Sequence, residues 1–199
     1  MGFHKTGEGV GAAAWITSKS RMYAEKRLRL YDWMAHLLLS WLSLSVIAWS
    51  VARSSVENGA LIDVYAAILS VFVFAFSVIV FGFKFGEGAA QHRECYLRLQ
   101  KLLAAEVPEE DFVQQYHEIL AGYGNHSSWD FESLVLSSTL FNKRKGQENA
   151  IQGRDGSGIV WSWTMLLKHL FFGFLFWGAC AFVFMLGLST FILIYCRVS

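Results

Sequence analysis

Residues 64–83 read VYAAILSVFVFAFSVIVFGF, 20 positions between Asp63 and Lys84 that contain no Asp, Glu, Lys or Arg. In a helix that rises 1.5 Å per residue, about 20 apolar residues cross the roughly 30 Å hydrocarbon core of a bilayer. Two further windows of the same kind flank this one. Trp33–Ala52 (WMAHLLLSWLSLSVIAWSVA) gives 20 uncharged residues between Asp32 and Arg53, and His169–Cys196 gives 28 between Lys168 and Arg197. Helices buried in a soluble core are usually shorter and broken by polar residues. The third window is long enough to tilt or to project past the bilayer. The first apolar run starts too late for a signal peptide and has the length of a full span. The predicted fold class is therefore all-α: an integral membrane protein with three transmembrane helices, a hairpin plus a C-terminal span, and a small cytoplasmic helical region.

The composition agrees. Of 199 residues, 54% are hydrophobic and only 17% charged, where a soluble domain carries about a quarter. One proline and 17 glycines exclude collagen-like or proline-rich disorder, and three cysteines without a close pair exclude a disulfide scaffold. The net charge of +1 hides an uneven distribution. Six Lys or Arg residues lie in 1–32 and nine in 84–168, against one in the hairpin loop and one at the C-terminus. Positive charge stays on the cytoplasmic side. The N-terminus and the middle region are thus expected inside, the hairpin loop and the C-terminus outside. Trp33, Trp49, Tyr65, Trp161, Trp163 and Tyr195 stand where interfacial anchors belong.

The chain divides into a basic N-terminal helix (1–32), the hairpin (33–83), cytoplasmic helices (84–141), a linker (142–163) and the third span with the C-terminus (164–199). Within 12–31, Trp15, Ile16, Met22 and Tyr23 alternate with Lys19, Arg21, Lys26, Arg27 and Arg29. Those five basic residues are candidates for contact with anionic membrane lipids, worth about 1 kcal/mol each near the surface; plain positive-inside flanking charge explains them equally well. After the second span a helix can continue through 89–106, with Gly86 and Gly88 as a hinge and Tyr96, Leu99 and Leu103 at helical spacing. Pro108 followed by Glu109, Glu110 and Asp111 opens another helix, which Gly122 and Gly124 end. Ser127 with Asp130 is a capping signal for a last helix to about Phe141. The stretch 142–158, NKRKGQENAIQGRDGSG, is polar and glycine-rich.

Catalysis finds no support. GEGVG at 7–11 and GRDGSG at 153–158 lack the strand–helix context and Lys-Ser/Thr ending of a phosphate loop. His92 with Cys95, and His126 with Asp130, each supply two metal-ligand types where zinc needs three or four. Asn125-His126-Ser127 spells a glycosylation acceptor, but on the cytoplasmic side. No cofactor or metal is expected.

The polar residues inside the spans say more. Asp63, Ser70, Ser77 and Lys84 recur every seven residues, and His36, Ser40, Ser43 and Ser50 share one stripe of the first span. Serines allow close helix contact and hydrogen bonding across it. In several assembled copies they could instead line a water path, with Asp63 and Lys84 as charged rings at its mouths. Gly173, Cys180 and Gly187, again seven apart, make a smooth packing seam on the third span. Three helices can hardly enclose a conduit alone, so a homo-oligomer is the economical expectation.

The order SKSRMYAEKRLRLYD (18–32), two-span hairpin, HRECYLRLQKL (92–102), YHEIL (116–120) and NHSSWDF (125–131) resembles the SLATT proteins. These are two-transmembrane effectors associated with SLOG and nucleotide-synthase modules in prokaryotic conflict systems. The likeness covers about residues 18–145, and the third span matches a subfamily that adds one. The family's usual acidic residue before Asn-His is Gly124 here. The resemblance implies an inner-membrane effector that breaches the membrane and arrests an infected cell. A neighbouring nucleotide synthase, SLOG protein or reverse transcriptase, or its product, would trigger it. The expected function is an oligomeric pore of an abortive-infection system. The alternatives are a membrane adaptor that recruits a soluble partner through the cytoplasmic helices, and a lipid-acting enzyme, for which Asp32, His36 and Asp63 do not obviously converge.

Overall fold

The computed structural model describes residues 9–52, 60–125, 127–140 and 162–198. They form six α-helices: α1 (Val10–Ala52), α2 (Ala60–Phe83), α3 (Phe85–Ala104), α4 (Glu109–Ala121), α5 (Ser128–Leu140) and α6 (Trp163–Val198). The regions around α1, α2 and α6 are long and apolar enough to cross a membrane. The 142–158 linker, the hairpin loop and His126 lie outside the described residues.

The basic segment and the first apolar window are one unbroken helix of 43 residues. Between α2 and α3 the break falls on Lys84, whose φ of 47° is the one positive value at a non-glycine among the described residues. The expected hinge at Gly86 and Gly88 is therefore misplaced, since both glycines are helical. Gly88 is used for close approach: a Cβ there would stand 3.3 Å from Leu28 Cδ1.

The helices fall into two compact units. One comprises residues up to 29 with 86–170. Its core joins Ala14 of α1 to Cys95, Leu99 and Leu102 of α3 and to Phe112 and Tyr116 of α4. Leu134 and Val135 of α5 pack with Ile16 and Tyr23 in a second cluster. α4 starts after Pro108 with three acidic residues in its first turn, where the helix dipole favours them. α5 opens on the side-chain-to-backbone half of a capping box: the Ser127 N–H donates to Asp130 Oδ2 at 3.2 Å. The start of α6 is fixed to α5. Lys168 donates to both Glu132 oxygens at 2.9 and 3.0 Å, and His169 stacks on Trp129 with ring centroids 3.8 Å apart.

The other unit comprises 30–85 with 171–199, and its core is Leu38, Leu42, Leu69, Cys180 and Val183. Two aromatic side chains tie α6 to its neighbours. The Trp41 indole N–H donates to the Phe184 carbonyl at 3.0 Å and its ring stacks on Phe184. The Tyr65 hydroxyl donates to the Leu186 carbonyl at 3.1 Å and lies 2.6 Å from Ser189 Oγ. A helical side chain covers the turn before it, so glycine at 187 leaves the Phe184 carbonyl open to the indole. Apolar side chains that point away from the unit, among them Val71, Phe74, Phe81, Phe174 and Phe182, are more than half exposed. In water that surface would be untenable; hydrocarbon removes the penalty.

Two of the aromatic anchors are reassigned by this packing. Trp33, Trp163 and Tyr195 are exposed, but Trp49 is buried and Tyr65 is committed to α6.

Candidate functional site

The serine stripes come first. Ser40, Ser50 and Ser70 are exposed and Ser43 and Ser77 half-buried. Four of these hydroxyls are satisfied within their own helices: Ser40 donates to His36 O at 2.8 Å, Ser50 to Val46 O at 3.1 Å, Ser70 to Ala66 O at 2.8 Å and Ser77 to Phe74 O at 2.7 Å. Back-bonding of this kind lets a hydroxyl reside in an apolar span. It removes the need for an interhelical partner while leaving lone pairs for water. The buried serine of the first span is Ser45, missed by the spacing argument, which donates to Trp41 O at 2.9 Å.

The seam on α6 divides. Gly187 meets α1 within the chain: a Cβ on it would overlap Trp41 and stand 2.8 Å from Ser45 Oγ. Cys180 lies in the buried cluster with Leu38 and Leu42, whereas Gly173 has open space where a Cβ would go. Both proposed mouth residues are exposed. Asp63 sits in the first turn of α2, where the helix dipole favours a carboxylate, and Lys84 sits at the left-handed break.

The basic residues of α1 separate into two groups, which corrects the expectation of a shared lipid-facing surface. Arg21 is 1% exposed and its Nη1 donates to the Gly124 carbonyl at 3.0 Å. Arg27 holds the buried Asp130 carboxylate through Nε and Nη2, at 2.9 and 3.1 Å. Both turn inward because this face of α1, with Ala14, Ser18 and Ala24 fully or nearly fully buried, is docked on the other helices of its unit. Lys26 and Arg29 are exposed, the latter paired with Glu25 at 2.7 Å, and Lys19 is half-buried. The small residues Ala14, Ser18 and Ala24 were the available signal for a docked face.

The paired ligand types found in the sequence are also spoken for. Asp130 is held by Arg27, and Cys95 is buried in the apolar core, where burial pushes its thiol up despite the nearby Arg21 charge.

A model of the SMODS and SLOG-associating 2TM effector domain family 5 matches residues 6–196. The chain belongs to the SLATT family. No curated protein and no solved structure matches it. The match covers all six helices, so α6 is part of this SLATT domain although the family description counts two transmembrane segments. The family description names an effector domain associated with SMODS and SLOG proteins.

Proposed function

We propose that this SLATT protein assembles through its spans into a membrane pore, controlled by the helical unit built from α3, α4, α5 and the start of α1. The trigger would be a neighbouring enzyme, a nucleotide synthase, a SLOG protein or a reverse transcriptase, or its product. The observation that carries the reading is the second span. Only 11% of its most apolar window is buried within the chain, against 22% for each of the others, and it carries the exposed Ser70 and the half-buried Ser77. A helix so sparsely covered has the room to contact further copies, and its self-satisfied hydroxyls suit both lipid and water. A trigger would act by binding the open assembly more tightly than the resting one.

Vesicle leakage tests this. Purified protein with its trigger should release a trapped dye, and Ser77→Phe should abolish release while the protein still inserts. Unchanged release in that variant would remove Ser77 from the lining. Triggered growth arrest with sealed vesicles would favour the adaptor.

We further propose an inside N-terminus and an outside C-terminus, on the Lys and Arg distribution. Cys196 is exposed, while Cys95 and Cys180 are buried. A membrane-impermeant maleimide should therefore label intact spheroplasts at one position, and Cys196→Ser should abolish the label. Labelling only after lysis would reverse the orientation.

A further inference from the structure

Arg21 and Arg27 lie six residues apart on α1 and use their guanidinium groups differently. Arg27 spends its Nε–Nη2 edge on the two oxygens of Asp130. The same edge of Arg21 is buried and has no hydrogen-bond partner among the described residues, where its one hydrogen bond runs from Nη1 to the Gly124 carbonyl. Arginine keeps its charge at every accessible pH, and a buried charge without a counter-ion is costly. Ser18, one helical turn earlier, is 2% exposed and its hydroxyl is likewise without a partner. Cys95 supplies no counter-charge, since burial favours its neutral thiol. The hydrogen bond to Arg21 comes from the turn that links α4 and α5, in which Gly122, Gly124 and Asn125 are exposed.

We propose that Arg21 is the recognition residue of an oxyanion site. A phosphoryl group would take two hydrogen bonds from the Nε–Nη2 edge and a third from the Ser18 hydroxyl, entering as the Gly122–Asn125 turn lifts. Parallel N–H groups match two oxygens of such a group, and a phosphoryl has a third oxygen to turn toward the hydroxyl. The turn that must lift is the one Arg21 holds, so occupancy and the α4–α5 connection are coupled. The site does not depend on pore formation and is read without any leakage assay.

The test uses the full chain in neutral detergent, with inorganic phosphate exchanged for chloride at constant ionic strength. Phosphate about a hundredfold above its Kd should raise the unfolding midpoint by about 5–10 °C. Arg21→Gln should lose the shift. Gly124→Asp serves as the second variant, because a Cβ at Gly124 meets nothing within 4 Å. Its carboxylate should raise the midpoint without phosphate and cancel the phosphate response. In a parallel arm, phosphate-free nanodiscs of phosphatidylcholine are compared with and without phosphatidic acid. Stabilisation by free phosphate, lost in Gly124→Asp, assigns a soluble ligand. Stabilisation by phosphatidic acid alone, lost in the same variant, assigns a lipid headgroup. No shift in either arm, or equal shifts in wild type and Gly124→Asp, overturns the proposal.

Discussion

Asp130→Ala should cost about 2–3 kcal/mol, because it strands the partner of a buried carboxylate. Asp130 is 1% exposed and serves two purposes at once. It accepts both N–H groups of Arg27, and it closes the capping box by accepting from the Ser127 amide and hydroxyl, the latter at 2.7 Å. Breaking a fully buried pair costs about 3–5 kcal/mol because the surviving charge is left unpaired. Arg27 is 28% exposed, so water recovers part of that, while loss of the cap adds about 1 kcal/mol. The damage should stay in the unit that holds α5. Cys95 should become reactive to maleimide in detergent while Cys180 stays protected. The double change Arg27→Met with Asp130→Leu should recover part of the loss, because no charge then remains stranded. A midpoint within 1 °C of wild type for Asp130→Ala would show that the pair contributes nothing.

Gly187→Leu should be the most damaging change in the membrane unit, at roughly 3 kcal/mol. Even one added carbon at this position overlaps the Trp41 indole. Overpacking costs about 1–3 kcal/mol, and displacing Trp41 also breaks its hydrogen bond to the Phe184 carbonyl, worth about 1 kcal/mol. α1 and α6 would separate along this contact, and here Cys180 should react while Cys95 stays protected. Gly173→Leu is the control, since that position has open space; it should leave the midpoint unchanged. Equal midpoints for Gly187→Leu and Gly173→Leu would contradict the close contact.

The spans were legible because hydrocarbon imposes a condition that sequence states directly: some 20 positions without a charge. Local chemistry at helix ends was legible for the same kind of reason, as with Pro108 before α4 and Ser127–Asp130 at α5. What sequence could not tell is which way a residue faces once helices pack. Arg21 and Arg27 look like Lys19 and Lys26 in a string of letters, yet they point into protein because Ala14, Ser18 and Ala24 make their face narrow enough to dock. Ser45 and Ser50 are the same residue type on the same helix, and only the first is buried, because Gly187 brings α6 against it. Seven-residue spacing chose serines by periodicity and so missed the one that makes the contact. The helix break was placed at glycines for their flexibility, but Gly88 serves close packing and Lys84 takes the left-handed conformation.

The central proposal is that this SLATT protein opens the membrane in response to a signal from the cytoplasm. The most direct measurement is membrane potential in living cells that carry the chain together with its neighbouring enzyme, followed with a potential-sensitive dye as that enzyme is activated. The account predicts loss of potential before growth stops, with no loss in cells that carry Ser77→Phe. Growth arrest at an intact potential would contradict it.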